Sequence, residues 1–355
     1  GRFAVAAFAP VLLNVVLIGA LVLAAMTGRD SLAYLIWGVA IAGVVQFLMV
    51  WFAVKQAGLG IGLQRPRLTE DVKRVLTLGI PGVLAAGVGQ INLLVGTNIA
   101  SAQNGAASWL YYADRVAQLP LGVIGIALGT ALLPKLSAAE TTGQPAEVRN
   151  SLSEAIGFAG FFVIPAVTGL VLCALPIIKG LFVYGAFTFS DAKMTAIALV
   201  AYGCGLPGFV MVKILQTAFY ATDQPAVVLK ISLITVAINV AGSLSLMPIL
   251  GHVGLALATS VSGTMAAAIM LYLLFRQRRL SASFLPVCGK IMLASAVMAT
   301  VVMFLQFGVD KFTELPAAVG LAVIIGGGGA VYAVTAYIVG AVPAGLLRQS
   351  NDRNT

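Results

Sequence analysis

Residues 39–54 read VAIAGVVQFLMVWFAV, a run of sixteen residues in which only Gln46 is strongly polar. A strand of a membrane β-barrel would alternate apolar and polar residues over about ten positions, and this run does not alternate. A helix needs roughly 20 apolar residues to cross the hydrocarbon core of a bilayer. The segment therefore predicts a transmembrane helix.

The composition of the whole chain agrees with this prediction. Of its 355 residues, 60% are hydrophobic and 9% charged, whereas a soluble domain has about 25% charged residues. We predict an all-α polytopic membrane protein with about ten transmembrane helices. The predicted spans are 4–27, 31–54, 75–101, 107–134, 155–181, 194–220, 226–249, 253–275, 287–307 and 316–346.

Lys and Arg are divided unevenly between the two sides of the membrane if these spans simply alternate. Of the 21 residues, fifteen fall on one side and four on the other, while Arg115 and Lys213 lie inside spans. Cytoplasmic loops carry the excess of Lys and Arg, so the first side is predicted to be cytoplasmic and to include the C-terminus. The net charge of +9 thus has a membrane explanation. We expect membrane lipids as partners, and no nucleic acid.

A weak internal repeat suggests how the helices are grouped. Leu13-Asn14-Val15 recurs as Ile238-Asn239-Val240, 225 residues later. Six spans separate the copies, and an even number gives them the same orientation, as in parallel transporter repeats. A six-helix unit would place four helices, absent here, ahead of Gly1. The predicted division is 1–54 (two last helices of an N-terminal lobe), 55–74 (basic cytoplasmic linker), 75–280 (six-helix C-terminal lobe) and 281–355 (two extra helices and a cytoplasmic tail).

Three ionisable residues, Asp114, Arg115 and Lys213, lie inside predicted spans. A charge at this depth is costly unless it is paired or faces water, so these residues are functional candidates. A guanidinium offers five donors in a planar fork that matches phosphate oxygens, and it stays charged. Helical spacing adds a polar stripe around Arg115, made of Ser108, Tyr111, Tyr112, Gln118 and Gly122. This stripe suits a water-filled cavity that holds an anionic ligand.

Each candidate also has a purely structural alternative. Arg115 could pair with a carboxylate on another helix, and Asp114 could be a counter-ion that orients a cation. Lys213 could extend its long stem to the cytoplasmic interface. In the third span, most polar residues are expected to form interhelical hydrogen bonds, with one or two, such as Gln90 or Asn98, facing a cavity. The polar stretch 135–154 is predicted to be a loop.

The sequence contains no motif for a motor or for catalysis. No glycine-rich loop ends in Gly-Lys-Ser/Thr, and the three cysteines lack metal-like spacing. The single histidine, His252, is expected to be an ordinary residue of a short turn. We therefore expect no enzyme, no metal and no cofactor, with coupling to the membrane potential or a monovalent ion left open.

The segment WLYYADR at 109–115 opens a distinctive stretch that runs to residue 134, and three further segments stand out, namely AFAP at 7–10, FVYGAFT at 182–188 and VKIL at 212–215. The stretch 109–134 resembles the signature of the MurJ/MviN lipid II flippase family, and the other three segments resemble other parts of the same family. The resemblance runs from Gly1 to about residue 280. It implies a fold of fourteen helices in two six-helix lobes plus two extra helices, within the multidrug/oligosaccharidyl-lipid/polysaccharide exporter superfamily. This chain would hold helices five to fourteen and lack about the first four.

The resemblance also implies a function. Lipid II, the undecaprenyl-pyrophosphate-linked peptidoglycan precursor, would be flipped from the cytoplasmic to the periplasmic leaflet of the bacterial inner membrane by alternating access. Arg115 matches an essential cavity arginine, Asp114 its acidic neighbour and Ser108 a cavity-lining serine. Gln118 stands where some members have an acidic residue. The two extra helices would form a groove that guides the lipid tail.

These arguments define a candidate site and leave several functions open. The predicted substrate-binding residues are Arg115, Ser108, Asp114, Tyr112, Gln118, Lys213, Gln90 and Asn98. The expected partner is lipid II, with cell-wall synthesis proteins as a further candidate. Alternative functions are export of another polyprenyl-linked glycan, drug antiport within the same superfamily, and a membrane scaffold that transports nothing.

Overall fold

The computed structural model describes residues 4–56, 68–222, 224–312 and 317–343, and these residues form an all-α fold. Some helical side chains fall outside this description, namely those of residues 4–7, 71, 74–86, 123–131, 133–134, 140–141, 310–312 and 317–318. The helices are α1 (Ala4–Thr27), α2 (Ser31–Gln56), α3 (Glu70–Ala100), α4 (Ala106–Thr141), α5 (Pro145–Leu172), α6 (Ala174–Phe182), α7 (Phe189–Ala221), α8 (Pro225–Leu250), α9 (His252–Arg276), α10 (Leu285–Phe312) and α11 (Ala317–Ile338).

Most of these helices have the length and polarity of membrane spans. Within the described ranges, eight helices are long and apolar enough to cross a bilayer, namely α1, α2, α5 and α7 to α11. The helices α3 and α4 have 31 and 36 residues, more than the roughly 20 that a crossing needs. The prediction of an all-α polytopic membrane protein is confirmed.

The predicted polar loop at 135–154 is wrong, because only residues 142–144 separate α4 from α5. Gly143 has φ +65°, and the backbone N–H of Gln144 donates to the carbonyl of Ala139 at 2.9 Å. This is a glycine C-cap, so the helix ends at a local turn signal. Outside the bilayer, a helix can continue with polar side chains in water, and apolar runs therefore mark its end too early.

The predicted span 155–181 consists of two helices, α5 and α6, that meet at Cys173. Pro176 explains the break, because proline has no N–H to donate to the carbonyl four residues earlier and its ring clashes with that carbonyl. The carbonyl is that of Leu172. It accepts a hydrogen bond from Gln306 Nε2 of α10 at 3.0 Å, and the same nitrogen lies 3.3 Å from Cys173 Sγ. The carbonyl left without a donor at the break is thus hydrogen-bonded by a residue of a third helix, α10.

The last predicted span, 316–346, extends too far, since α11 ends at Ile338. Gly340 has φ +66°, and the N–H of Ala341 donates to the carbonyl of Ala336 at 2.8 Å. This is again the hydrogen-bond pattern of a glycine C-cap. Apolar residues continue after Gly340, so hydropathy alone placed the end of the span beyond the end of the helix.

The chain divides into two compact units, Gly1–Thr77 and Leu78–Thr355. In the first unit, α1 packs against α2, and Gln46 Nε2 donates to the Ala9 carbonyl at 2.6 Å. The one strongly polar side chain of the 39–54 run is therefore satisfied inside the pair. The predicted domain boundaries stay predictions, and residues 57–67 of the predicted linker lie outside the described ranges.

The core of the second unit lies where α4, α5, α7, α8 and α9 pack together. The helices α7 and α9 come very close because glycines remove side chains at their crossing. A Cβ on Gly205 would lie 2.6 Å from Ser260 Cα, and one on Gly208 would lie 2.8 Å from Thr264 Cα. The Ser260 hydroxyl also donates to the Ala201 carbonyl at 2.7 Å. Close approach through small residues is the usual way in which helices associate in lipid.

The helices α10 and α11 pack against α5 and α6 through a second apolar cluster, centred on Ile291, Met298 and Tyr332. The Tyr332 hydroxyl donates to the Phe161 carbonyl of α5 at 2.6 Å. A hydroxyl in lipid has no water to bond with, so this contact favours the docked position of the pair. A role of the pair in guiding a lipid tail stays a prediction.

Candidate functional site

One face of α4 is exposed while the opposite face is buried. The exposed positions include Ser108, Tyr111, Arg115, Gln118 and Gly122, and the buried positions include Ala106, Leu110, Ala113, Val116 and Ala117. Both sets recur every three or four residues, as the geometry of a helix requires. The polar stripe of the sequence therefore forms one continuous exposed face of α4, which we call the α4 polar face.

Arg115 carries the positive charge of the α4 polar face. Its guanidinium carbon lies over the ring of Tyr111, 4.9 Å from the ring centroid. Among the side chains that the structure describes, the salt bridges formed are Lys73 with Glu70 and Lys135 with Glu154, and Arg115 forms none. The alternative in which a carboxylate of another helix pairs with Arg115 thus finds no support in the described residues.

The two tyrosines of the signature segment have different surroundings. Tyr111 is 55% exposed and packs edge-on against Tyr112, with ring centroids 5.7 Å apart. Tyr112 is half-buried. Its ring centroid lies 4.7 Å from that of Phe182 and 5.3 Å from that of Phe187. Phe182 ends α6, and Phe187 lies in the segment between α6 and α7. The ring of Tyr112 therefore packs between Tyr111 and these two phenylalanines, and its predicted role in substrate binding stays a prediction.

Asp114 is half-buried and lies at the edge of the α4 polar face. Its Oδ2 accepts a hydrogen bond from Gln118 Nε2, one turn further along the helix. It also interacts electrostatically with Arg115 and with Tyr202 of α7. Tyr202 was not predicted as part of the site, because nothing in the sequence indicates which residue of α7 lies within electrostatic range of Asp114.

Lys213 is exposed on α7, eleven residues after Tyr202. At 1.5 Å per residue, this separation is roughly 16 Å along the helix. The Lys213 carbonyl accepts a hydrogen bond from the Thr217 hydroxyl at 3.0 Å, and no described hydrogen bond or salt bridge joins its amine to Asp114 or Arg115. The structure does not bring Lys213 into the same group as the other two charged candidates.

Gln90 and Asn98 are both exposed on α3. The Asn98 carbonyl accepts from the hydroxyl of Ser101, the residue that follows the end of α3, at 2.6 Å. Neither side chain forms a bond to another helix in the part of the chain that the structure describes. Their predicted role in binding substrate remains a prediction.

A neighbouring residue of α3 forms the interhelical contact that the sequence argument expected in this span. Asn92 Oδ1 accepts from Asn239 Nδ2 of α8 at 3.0 Å. Asn239 Oδ1 in turn accepts from Ser243 at 3.2 Å and from Thr259 of α9 at 3.4 Å. The internal repeat had singled out Asn239 together with Asn14, but Asn14 is exposed. The shared Asn-Val segments thus serve different purposes in the two units.

The N-terminal end of α4 is joined to α7 by hydrogen bonds. Trp109 Nε1 donates to Asp191 Oδ1 at 2.8 Å. Asp191 Oδ2 accepts from the backbone N–H of Thr188 at 2.9 Å, and the Asp191 N–H donates to the Thr188 hydroxyl, so the two residues form a capping box at the start of α7. The tryptophan of the signature segment, Trp109, is therefore hydrogen-bonded to α7.

His252 is buried at the start of α9, so the prediction of an ordinary turn residue is wrong. The turn consists of Gly251 alone, with φ +58°. The His252 backbone N–H donates to Gln103 Oε1 at 2.8 Å, and its Nε2 lies 3.0 Å from the Met194 carbonyl. Its ring packs against Trp109 with centroids 5.0 Å apart. These contacts come from distant parts of the chain and leave no local sequence signal.

The chemistry of the α4 polar face follows from its donors. Arg115 supplies the guanidinium, Ser108 supplies a hydroxyl, and Gln118 supplies an amide. A guanidinium that is free of a carboxylate partner can donate two parallel hydrogen bonds to a phosphate. The face is thus suited to an anionic ligand that is rich in oxygen.

Comparison with known protein families gives an extended match. The family model described as lipid II flippase MurJ matches residues 1–324. The probable lipid II flippase MurJ of Rhizobium tropici is 38% identical over 365 residues, which covers 99% of this chain and 68% of that protein. The corresponding protein of Rhizobium meliloti (strain 1021) is 38% identical over 363 residues, with the same coverage.

A solved structure is similar over almost the whole chain. It is described as lipid II flippase MurJ in an inward closed conformation. The TM-score is 0.76 and the sequence identity 27%, and the match covers 94% of this chain and 66% of that one. The chain thus spans about two thirds of the length of the relatives that it matches most fully.

Proposed function

This chain belongs to the MurJ lipid II flippase family, and we propose on that basis that it flips lipid II from the cytoplasmic to the periplasmic leaflet by alternating access. Lipid II flippases are transporters, so the chain acts in transport and not as an enzyme. Export of another glycan lipid and drug antiport are not favoured, because the family match is specific to lipid II flippases.

The observation that carries the proposed mechanism is that Arg115 is exposed on the α4 polar face and forms no salt bridge in the described part of the chain. The lipid II head group carries a pyrophosphate and sugars. Arg115 would hold the pyrophosphate through its planar fork, which a lysine amine cannot reproduce. Ser108 and Gln118 would bond to the sugar and peptide oxygens nearby. Asp114 would keep the guanidinium charge balanced between substrates.

The proposed location is the bacterial inner membrane, with the C-terminus in the cytoplasm. The excess of Lys and Arg on one side supports this orientation. It places the N-terminal end of α4, with Trp109 and Asp191, on the periplasmic side. Arg115, about nine residues into α4, would then lie roughly 14 Å from that end of the helix.

The charge of Arg115 suggests an energy source for transport. Arg115 carries a full charge inside a span, and moving one charge across the membrane is worth about 2.3 kcal/mol per 100 mV. We therefore propose coupling to the membrane potential, with a monovalent ion as the alternative.

Cell-wall synthesis proteins are proposed as partners, since their reactions consume lipid II on the outer face.

The experiment measures lipid II exposed at the outer face of cells depleted of their own flippase. The cells receive the full-length protein as wild type, Arg115→Ala, Arg115→Lys or Arg276→Ala, at matched membrane levels. Arg276 is an exposed cation at the end of α9, and its variant controls for the loss of one arginine. We expect exposure with wild type and Arg276→Ala, and a large loss with both Arg115 variants.

Two outcomes would contradict the proposal in different ways. If well-expressed wild type left lipid II inside, the proposed function would be refuted. Full activity of Arg115→Lys would show that a point charge suffices, and it would refute the role of the planar guanidinium fork while leaving the function intact.

A further inference from the structure

The contact between Arg115 and Tyr111 orients the guanidinium relative to the aromatic ring. The guanidinium carbon lies over the aromatic ring, 4.9 Å from its centroid, and the face of an aromatic ring attracts a cation within about 6 Å. The two residues are one helical turn apart, so the backbone of α4 sets their distance. A guanidinium that rests on a ring keeps the in-plane N–H groups at its rim free for an oxygen ligand.

Tyr111 is itself held in place by other rings. Its ring packs edge-on against Tyr112 at an interplanar angle of 79°. Tyr112 is fixed by Phe182 and Phe187, which also pack against each other at 6.1 Å. The end of α6 and the segment before α7 thus support a row of rings that ends at the guanidinium.

The remaining neighbours of Arg115 do not compete for this role. The Asp114 carboxylate accepts a hydrogen bond from Gln118 and forms no salt bridge with Arg115 in the described part of the chain. A long side chain without such a partner would sample many rotamers, and each must be given up when the ligand binds. A ring that already favours one rotamer reduces that loss, which is the principle of preorganisation.

We propose that Tyr111 is a positioning residue for head-group binding: its ring holds the Arg115 guanidinium in the orientation that receives the pyrophosphate. This inference rests on the proposed function and deepens it, since Tyr111 acts through Arg115 and not on the substrate. The hydroxyl of Tyr111 is not required. Tyr111→Phe should therefore bind like wild type, whereas Tyr111→Leu should bind about two- to fivefold more weakly.

The sharpest test changes the electron density of the ring and leaves its size almost constant. Phenylalanine and its mono-, di- and trifluorinated analogues are incorporated at position 111, and the affinity of the full-length protein for lipid II in nanodiscs is measured. Each fluorine weakens the attraction of the ring for a cation, so affinity should fall step by step along the series. The same series at Tyr272, which is 63% exposed on α9, should have no effect.

A double-mutant cycle separates this inference from the proposed function. In an Arg115→Ala background, Tyr111→Leu should cause no further loss, because the cation is gone. If Arg115→Ala weakens binding but the fluorinated series is flat, or if Tyr111→Leu is still harmful without Arg115, the positioning role is overturned and the proposed function stands. If Arg115→Ala binds lipid II as well as wild type, the head-group role of Arg115 fails and the inference fails with it.

Discussion

The crossing of α7 and α9 should tolerate no added methyl group at Gly205. In Gly205→Ala, the new Cβ would lie 2.6 Å from Ser260 Cα. An ordinary contact between such atoms is 3.4–4 Å, so the helices must separate by roughly 1 Å. That movement also stretches the bond from the Ser260 hydroxyl to the Ala201 carbonyl, now 2.7 Å, beyond hydrogen-bond range. Overpacking of this kind costs about 1–3 kcal/mol.

A second glycine on the same helix provides the matched control. A Cβ on Gly203 would meet only the Val171 side chain, at 3.4 Å. Both substitutions replace glycine by alanine inside α7 and gain the same helix propensity, about 1 kcal/mol. The difference between the two variants therefore isolates the contact with Ser260. We expect Gly205→Ala to be less stable than Gly203→Ala by about 1–3 kcal/mol.

The assay is unfolding of the purified full-length protein in one detergent, followed by differential scanning fluorimetry and by titration with a denaturant. Gly205→Ala should melt several degrees below Gly203→Ala, and Gly203→Ala should melt at or above wild type. Equal melting temperatures for the two variants would show that α7 and α9 are not in contact at Gly205, and the packing argument would be refuted.

Three further substitutions test single contacts. Asn239→Leu leaves the Asn92 amide without its partner and should lower the free energy of unfolding by about 1–2 kcal/mol, measured by denaturant titration; an unchanged value would show that the contact is not formed. Tyr332→Phe loses one hydrogen bond to α5 and should raise hydrogen–deuterium exchange in α10 and α11, whereas equal exchange would contradict the docking described. Trp109→Phe keeps a ring against His252 but loses the bond to α7, so exchange should rise at the first turn of α7 and not in α9.

The helical spans were predictable because lipid imposes one rule along the whole chain. A backbone in hydrocarbon must satisfy its own hydrogen bonds, so an apolar run of sufficient length becomes a helix. The predicted span 4–27 has the bounds of α1. The rule does not hold outside the bilayer, because a helix in water can continue with polar side chains. For this reason α5 begins at Pro145, ten residues before the predicted start of the span. The break at Cys173 did have a signal, Pro176, which the apolar run concealed.

The site was predictable along one helix but not between helices. Spacing of three and four residues was enough to place Ser108, Arg115 and Gln118 on one face of α4. It could not show that Tyr202 lies within electrostatic range of Asp114 or that His252 is buried, because both depend on how residues far apart in sequence are placed in the fold. The roles of the site residues stay predictions, since they await the transport and binding measurements.

The break between α5 and α6 has a consequence for biosynthesis. The Leu172 carbonyl has no helical donor, because Pro176 lacks an N–H. The donor that replaces it, Gln306, lies 134 residues further along the chain. At a synthesis rate of about 5–20 residues per second, on the order of ten seconds pass before that amide exists. During this interval the Leu172 carbonyl has no partner from α10. The hydrogen bond that joins the break between α5 and α6 to α10 can therefore form only after α10 has been synthesised.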